Sequence, residues 1–122
     1  MIVFSRTSQR GEAVGFFEVG GFHPDFILWV LKPGHQYVNF VEPHGMLREG
    51  PGSEKVQFHK RIKALEARLE CRDVTLNSFI LSWTRHPELQ WGLSREEMER
   101  QHVLFMTDDR EAYVGKLMAL VK

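Results

Sequence analysis

The feature that most constrains the fold is a pair of β-branched and aromatic runs separated by a short polar loop. The first run, FILWVL, covers residues 26–31, and the second, YVNFVE, covers residues 37–42. The intervening segment begins KPGH, and its proline and glycine are typical turn residues. The pattern predicts a β-hairpin. Because both runs are apolar on both faces, the two strands should be central strands that are covered on each side.

The size of the chain fits a single domain over residues 1–122. A chain of 122 residues, 43% of them hydrophobic, can bury one core without help from disulfides. Cys71 is the only cysteine, so neither an intrachain disulfide nor a thiolate metal cluster can form. No apolar run approaches the ~20 residues of a transmembrane helix, and no secretory signal is visible at the amino terminus. We therefore expect a cytoplasmic protein with no membrane partner.

Charge is balanced overall but unevenly distributed. The chain has 16 basic and 16 acidic residues, which argues against a highly basic nucleic-acid-binding module. Residues 44–72 nevertheless carry seven basic and four acidic side chains. Any contact with a polyanion is therefore expected in this middle segment.

The remaining patterns predict alternating strands and helices of an α/β (α+β) domain. Further strands are predicted at Ile2–Ser5, Ala13–Val19, Val74–Trp83 and His102–Met106. Helices are predicted at Glu54–Arg72, at Arg95–Arg100 after a Ser94/Glu97 capping box, and at a third site with a buried stripe of Val114, Leu117, Met118 and Val121.

The hairpin places two acidic residues side by side. If its loop closes symmetrically, residues whose numbers sum to 67 face each other, which puts Asp25 opposite Glu42. Directly opposed Cβ atoms are about 5 Å apart, and like charges at that distance repel unless a cation or proton intervenes. His44 lies two residues beyond Glu42 and therefore points to the same face. Oxygen ligands of this kind suit Mg²⁺ or Mn²⁺.

A simpler interpretation of the same acids also stands. Asp25 follows Pro24 and is a common residue at the start of a strand, and Glu42 is equally common at a strand end that faces solvent. The residues alone do not decide between this interpretation and a metal site.

The sequence segments around the two acids resemble those of a known protein family. GFFEVGGFHPDFILWV followed by QYVNFVEPHGM is similar to the PD-(D/E)XK nuclease superfamily, and most of all to the nuclease-like carboxy-terminal domain of DEAD/DEAH-box helicases and type III restriction-like proteins. The similarity covers about residues 15–82. It implies a restriction-endonuclease-like fold, in which a mixed central sheet with an antiparallel β-meander is flanked by helices.

The resemblance assigns roles to four residues. Asp25 corresponds to the first metal-binding aspartate of the family and Glu42 to the second carboxylate, and the backbone carbonyl of Pro43 would complete the protein ligands of Mg²⁺ or Mn²⁺. His44 stands where the family has its catalytic lysine. A histidine is charged over only part of the physiological pH range, so this departure affects the expected rate.

The family fold begins with a helix that often carries a glutamate, and no such helix is predicted before Ala13. We therefore expect the chain to be a carboxy-terminal fragment of a larger protein, or else Glu12 or Glu18 to replace that glutamate.

One flank of the long predicted helix carries candidate nucleic-acid-binding residues. Steps of ~100° per residue align four polar or basic side chains beside the apolar stripe, namely Gln57, Arg61, Arg68 and Arg72. The acids Glu66 and Glu70 fall on the opposite flank with Lys63, away from these arginines. The alternative is an ordinary solvated helix edge.

The expected function is metal-dependent endonucleolytic hydrolysis of phosphodiesters, with DNA as the polymer, by a domain linked to a helicase or ATPase of a restriction system. The alternative is a nuclease fold that has lost catalysis and serves in nucleic-acid binding or assembly. Whether the chain forms a homodimer stays open. Trp91, in a polar loop, is expected either to stack on a ligand or to anchor its loop in the core.

Overall fold

A computed structural model describes residues 2–6 and 24–122. In this part of the chain the strands are β1 (Ile2–Arg6), β2 (Phe26–Lys32), β3 (His35–His44), β4 (Val74–Ser82) and β5 (Val103–Phe105). The helices are α1 (Glu54–Leu69), α2 (Arg95–Arg100) and α3 (Tyr113–Leu120), with a short 3-10 helix at His86–Glu88. The predicted α/β class and order of elements are confirmed here. The strand predicted at 13–19 lies outside the described residues.

The five strands form one mixed sheet in the order β1-β2-β3-β4-β5. The first three are an antiparallel meander, and β4 and β5 run parallel to β3. A parallel neighbour requires a crossover, which α1 provides between β3 and β4. Within the described ranges, no helix combines the length and apolar character needed to cross a bilayer.

The hairpin closes through a two-residue loop. Lys32 pairs with His35, which leaves Pro33 and Gly34 at the tip. Gly34 has a φ of +74°, and a type II turn requires a positive φ at this position after a favoured proline. The pairing runs from here to Phe26 opposite Val41, and the numbers of every pair between β2 and β3 add up to 67, as predicted.

Two apolar layers cover the sheet. On one side Ile27 and Phe40 pack in a cluster with Phe58 and Ile62 of α1. On the other side the hairpin contributes to a second cluster that contains Leu117 of α3. The prediction that the hairpin strands are covered on both faces is therefore confirmed.

Helix α1 has a defined start and an unusual end. The Ser53 hydroxyl accepts a hydrogen bond from the backbone N–H of Val56, at 3.3 Å, and caps the first turn. The helix ends at Leu69, because Glu70 adopts a left-handed conformation with φ +50°. The predicted extension to Arg72 is therefore wrong. Leu69 itself is exposed rather than part of the buried stripe.

The two shorter helices, α2 and α3, lie where the sequence patterns predict helices. Helix α2 has the predicted bounds, and the Ser94 hydroxyl accepts a 3.0 Å hydrogen bond from the Glu97 N–H as its amino-terminal cap. In α3 the stripe is only partly as predicted, since Leu117 is buried but Val114 is exposed.

Candidate functional site

Asp25 and Glu42 lie at the open end of the hairpin. The last pair of the ladder is Phe26 with Val41, so Glu42 is the next residue of β3, whereas Asp25 lies exposed in a bend just before β2. Side chains alternate along a strand, so Glu42 projects on the side of Phe40, which belongs to the cluster under α1. Asp25 lies near enough for its negative charge to act on Glu42.

Glu42 is a buried carboxylate with only one of its oxygens satisfied. The residue is 5% exposed, and its Oε1 accepts a 3.1 Å hydrogen bond from the Lys55 ammonium. Its Oε2 is buried with no hydrogen-bond partner among the described residues. A buried charged oxygen without a partner is costly, so the arrangement is not one that folding alone would favour.

The pKa of Glu42 reflects this environment. Burial raises the pKa above its ordinary value of 4.5, and the negative charge of Asp25 adds to the rise. The charges of Lys55 and His44 oppose it but do not cancel it. The electrostatic influence of Asp25 on Glu42 indicates that the two acids are close in space.

Lys55 is the site residue that the sequence analysis missed. It lies in the first turn of α1, half-buried, with 21% of its side chain exposed. A lysine in this position is unfavourable, because the amino-terminal end of a helix carries partial positive charge. That mismatch is the signal that could have drawn attention to it. The cation is held there by Glu42 rather than by its own helix.

His44 lies at the end of β3, where the resemblance expects a lysine. Its Nε2 is 3.4 Å from Glu49 Oε1, and its ring centroid is 6.5 Å from that of Trp83. Its charge acts on Glu42. The structure thus places one histidine and one lysine close to the same carboxylate, one from β3 and one from α1.

The residues present fit a hard divalent cation in part. Across residues 2–6 and 24–122, no group of three His, Cys, Asp or Glu side chains is arranged to hold a metal ion. Mg²⁺ commonly uses only one or two carboxylates and completes its shell with water and other oxygens. Asp25, the partnerless Oε2 of Glu42 and the Pro43 carbonyl are a donor set of that kind. The orphaned oxygen is the observation that favours a cation here.

The predicted basic flank of α1 is only partly assembled. Gln57 donates a 2.7 Å hydrogen bond to the Pro51 carbonyl, and Arg61 lies 3.6 Å from Glu54. Arg61 is therefore partly neutralised by an acid of its own helix, contrary to the expectation that the flank keeps its charge. Arg68 is exposed on the last turn of α1. Arg72 lies beyond the helix end, so the 100° steps that placed it on this flank do not apply.

Two further sequence candidates have different outcomes. Trp91 is partly buried against the core cluster under α1. Of the two roles expected for it, ligand stacking and loop anchoring, this packing corresponds to loop anchoring. Glu12 and Glu18, named as substitutes for the family's first glutamate, lie outside the described residues.

Comparison of the chain with models of protein families, with curated proteins and with solved structures gave no match.

Proposed function

We propose that the protein is a metal-dependent nuclease that hydrolyses phosphodiester bonds, with DNA as its substrate, at the site built from Asp25, Glu42 and Lys55. The observation that carries the proposal is the Glu42 carboxylate. It is buried, its pKa is raised, one oxygen is held by a lysine and the other has no partner among the described residues. Perturbed carboxylates of this kind are concentrated at functional sites.

Two further points support a PD-(D/E)XK assignment. The sequence around Asp25 and Glu42 resembles that superfamily, and a mixed sheet with an antiparallel meander, flanked by helices, is the architecture that the resemblance implies. A link to a helicase or ATPase of a restriction system belongs to the same proposal and depends on the resemblance alone.

The protein residues divide the work as follows. Asp25, Glu42 and the Pro43 carbonyl would hold Mg²⁺ or Mn²⁺, which supplies Lewis acidity and an acidified water. Lys55 fixes the Glu42 carboxylate by its hydrogen bond and places its ammonium group beside it. His44 contributes a second cation when it is protonated. In this scheme Lys55, rather than His44, takes the part of the family's lysine.

The experiment is a cleavage assay with the whole chain. Supercoiled and linear DNA are incubated with Mg²⁺, Mn²⁺ or a chelator, and the Asp25→Asn and Glu42→Gln variants are compared with Glu96→Gln, an exposed acid of α2. Because a bound metal contributes several kcal/mol to the transition state, each site variant should lose roughly 100-fold or more in rate. Glu96→Gln should cleave like wild type. Undiminished cleavage by both site variants refutes the proposal.

A thermal-shift measurement separates an active enzyme from a nuclease fold that has lost catalysis. A ligand that binds the native state alone raises the melting temperature with concentration. Mn²⁺ should therefore stabilise wild type and Glu96→Gln but not Asp25→Asn. If the melting temperature is indifferent to Mn²⁺ and to chelator, and no cleavage is detected, the alternative of an inactive binding module replaces the proposal.

A further inference from the structure

Trp83 is the most unusual exposed side chain near the candidate site. It follows the end of β4 and is 57% exposed, although tryptophan is normally among the most buried residues. Strand pairing brings it to the candidate site, because Ser82, its predecessor, pairs with His44.

The backbone of Trp83 is anchored although its ring is exposed. The backbone N–H of Trp83 donates a 3.3 Å hydrogen bond to the His44 carbonyl, and the backbone carbonyl of Trp83 accepts one from the Thr107 hydroxyl at 3.1 Å. The ring lies against Gly45, where an added Cβ would be 2.8 Å from the indole Nε1. The absence of a side chain at position 45 is therefore what lets the ring lie there.

A second ring extends this surface towards Glu42. The His44 ring lies 6.5 Å from the Trp83 ring at an interplanar angle of 50°. Two residues of extended strand, ~7 Å, separate His44 from Glu42. The aromatic pair therefore begins ~7 Å along the backbone from Glu42, at the same end of the sheet.

We infer that Trp83, flanked by His44, is a stacking platform for an unpaired base of the nucleotide next to the cleaved bond. This inference rests on the proposed nuclease function and adds a substrate class to it, namely single strands or duplexes with a flipped or frayed nucleotide. An indole stacks on any base, and the face of a base is accessible only when it leaves the duplex stack.

The test measures binding in chelator, so that no cleavage occurs. A dT oligonucleotide and a blunt duplex of equal length are titrated at low salt, with intrinsic tryptophan fluorescence and an independent labelled-oligonucleotide assay as readouts. Single-strand binding should quench the fluorescence of wild type, and Trp83→Ala should weaken it roughly 10- to 30-fold, as expected for the loss of one stacked base. Affinity for the duplex should change little.

Three variants make the result specific. Trp83→Phe keeps an aromatic face and should recover most of the affinity. Gly45→Ala keeps the indole but displaces it, and should weaken single-strand binding several-fold. Val114→Ala removes an exposed apolar side chain from α3 and should bind like wild type. Melting temperatures confirm that each variant is folded.

The outcomes separate this inference from the proposed function. Equal single-strand affinity of Trp83→Ala and wild type overturns the platform, even if metal-dependent cleavage is found. Loss of affinity in Trp83→Ala, combined with full cleavage by Asp25→Asn and Glu42→Gln, supports the platform and refutes the nuclease site. Self-association that depends on Trp83, seen by sedimentation in the absence of nucleic acid, overturns the platform in favour of a protein interface.

Discussion

Replacing Lys55 with methionine should destabilise the protein by an amount that depends on pH. The substitution removes the hydrogen bond and the positive charge from Glu42 but keeps an apolar side chain of similar length. Glu42 is then a carboxylate that is 5% exposed and has lost its hydrogen bond from Lys55. At neutral pH it must stay ionised without compensation or take up a proton, and both choices cost free energy.

The magnitude follows from two independent estimates. Breaking a buried ion pair by removing one partner costs about 3 to 5 kcal/mol, and the partial exposure of Lys55 favours the lower end. Proton uptake sets a ceiling, because protonating a carboxyl with an ordinary pKa of 4.5 at pH 7 costs about 3 kcal/mol. We expect a loss of about 2 to 3 kcal/mol at pH 7, which is a fall of roughly 6 to 12 °C in melting temperature for a chain of this size.

The sign of the pH dependence distinguishes charge from packing. The pKa of Glu42 is raised in the folded protein, so its contribution to stability is most favourable below pH 4.5 and declines as the pH rises through the folded pKa. Lys55→Met raises that pKa further. The stability difference between variant and wild type should therefore be small at pH 4 and grow towards pH 7. Urea denaturation at several pH values measures it.

A double-mutant cycle and a matched control complete the design. In a Glu42→Gln background, Lys55→Met should cost less than about 1 kcal/mol, because no buried charge is left unpaired. Lys60→Met, on the exposed side of the same helix, should change stability by less than about 0.5 kcal/mol. A loss that is the same at pH 4 and pH 7, and the same with and without Glu42, would show that Lys55 acts through its aliphatic chain and refute the reasoning.

Three further predictions concern other parts of the molecule. Burial and a neighbouring histidine lower the pKa of His59 to about 4, so the unfolded chain binds a proton more readily and the free energy of unfolding falls as the pH drops from 6.5 to 4. The pKa difference limits this loss to about 3 kcal/mol, and the partial exposure of His59 reduces it to about 2 kcal/mol. His59→Gln should therefore flatten the pH dependence of the urea midpoint relative to wild type. Asn39→Leu should cost about 2 to 3 kcal/mol in thermal unfolding, because it removes the acceptor of the Asn77 amide, and a clear recovery is expected in Asn39→Leu/Asn77→Leu. If α1 binds DNA phosphates, Arg68→Gln should lower the slope of log affinity against log salt by about 0.9. Arg61→Gln should lower it by less, because Glu54 already opposes the charge of Arg61. Equal slopes for wild type and both variants would count against phosphate binding by this flank of α1.

The hairpin was predictable because its determinants are local. A Pro-Gly turn fixes the loop, the loop fixes the register, and alternation then fixes the face of every side chain up to Phe26 and Val41. Asp25 lies in a bend one residue before the paired part of β2, so these local rules do not fix its side chain.

Lys55 was not predictable by the same rules. It reaches Glu42 across a connection of irregular structure, residues 45–53, whose path has no periodic signature. The end of α1 was missed for a related reason. A left-handed residue that ends a helix is usually glycine or asparagine, and here it is Glu70.

Strand β3 contains two buried polar side chains, and the contrast between them separates structure from function. Asn39 donates to the Leu28 carbonyl at 2.9 Å and accepts from the Asn77 amide at 2.9 Å, so its polar groups are satisfied within the sheet. Glu42, three residues further along, is equally enclosed but has one oxygen without a partner in the described part of the chain. A polar group that is fully bonded helps to specify the register of the core, whereas a charged group that is half-bonded lowers stability unless something else binds it. Hydrogen bonding of the buried polar groups becomes incomplete at the open end of the hairpin. Asp25, Lys55 and His44 act on the Glu42 carboxylate at this same end. This coincidence is the physical reason to expect the catalytic chemistry there.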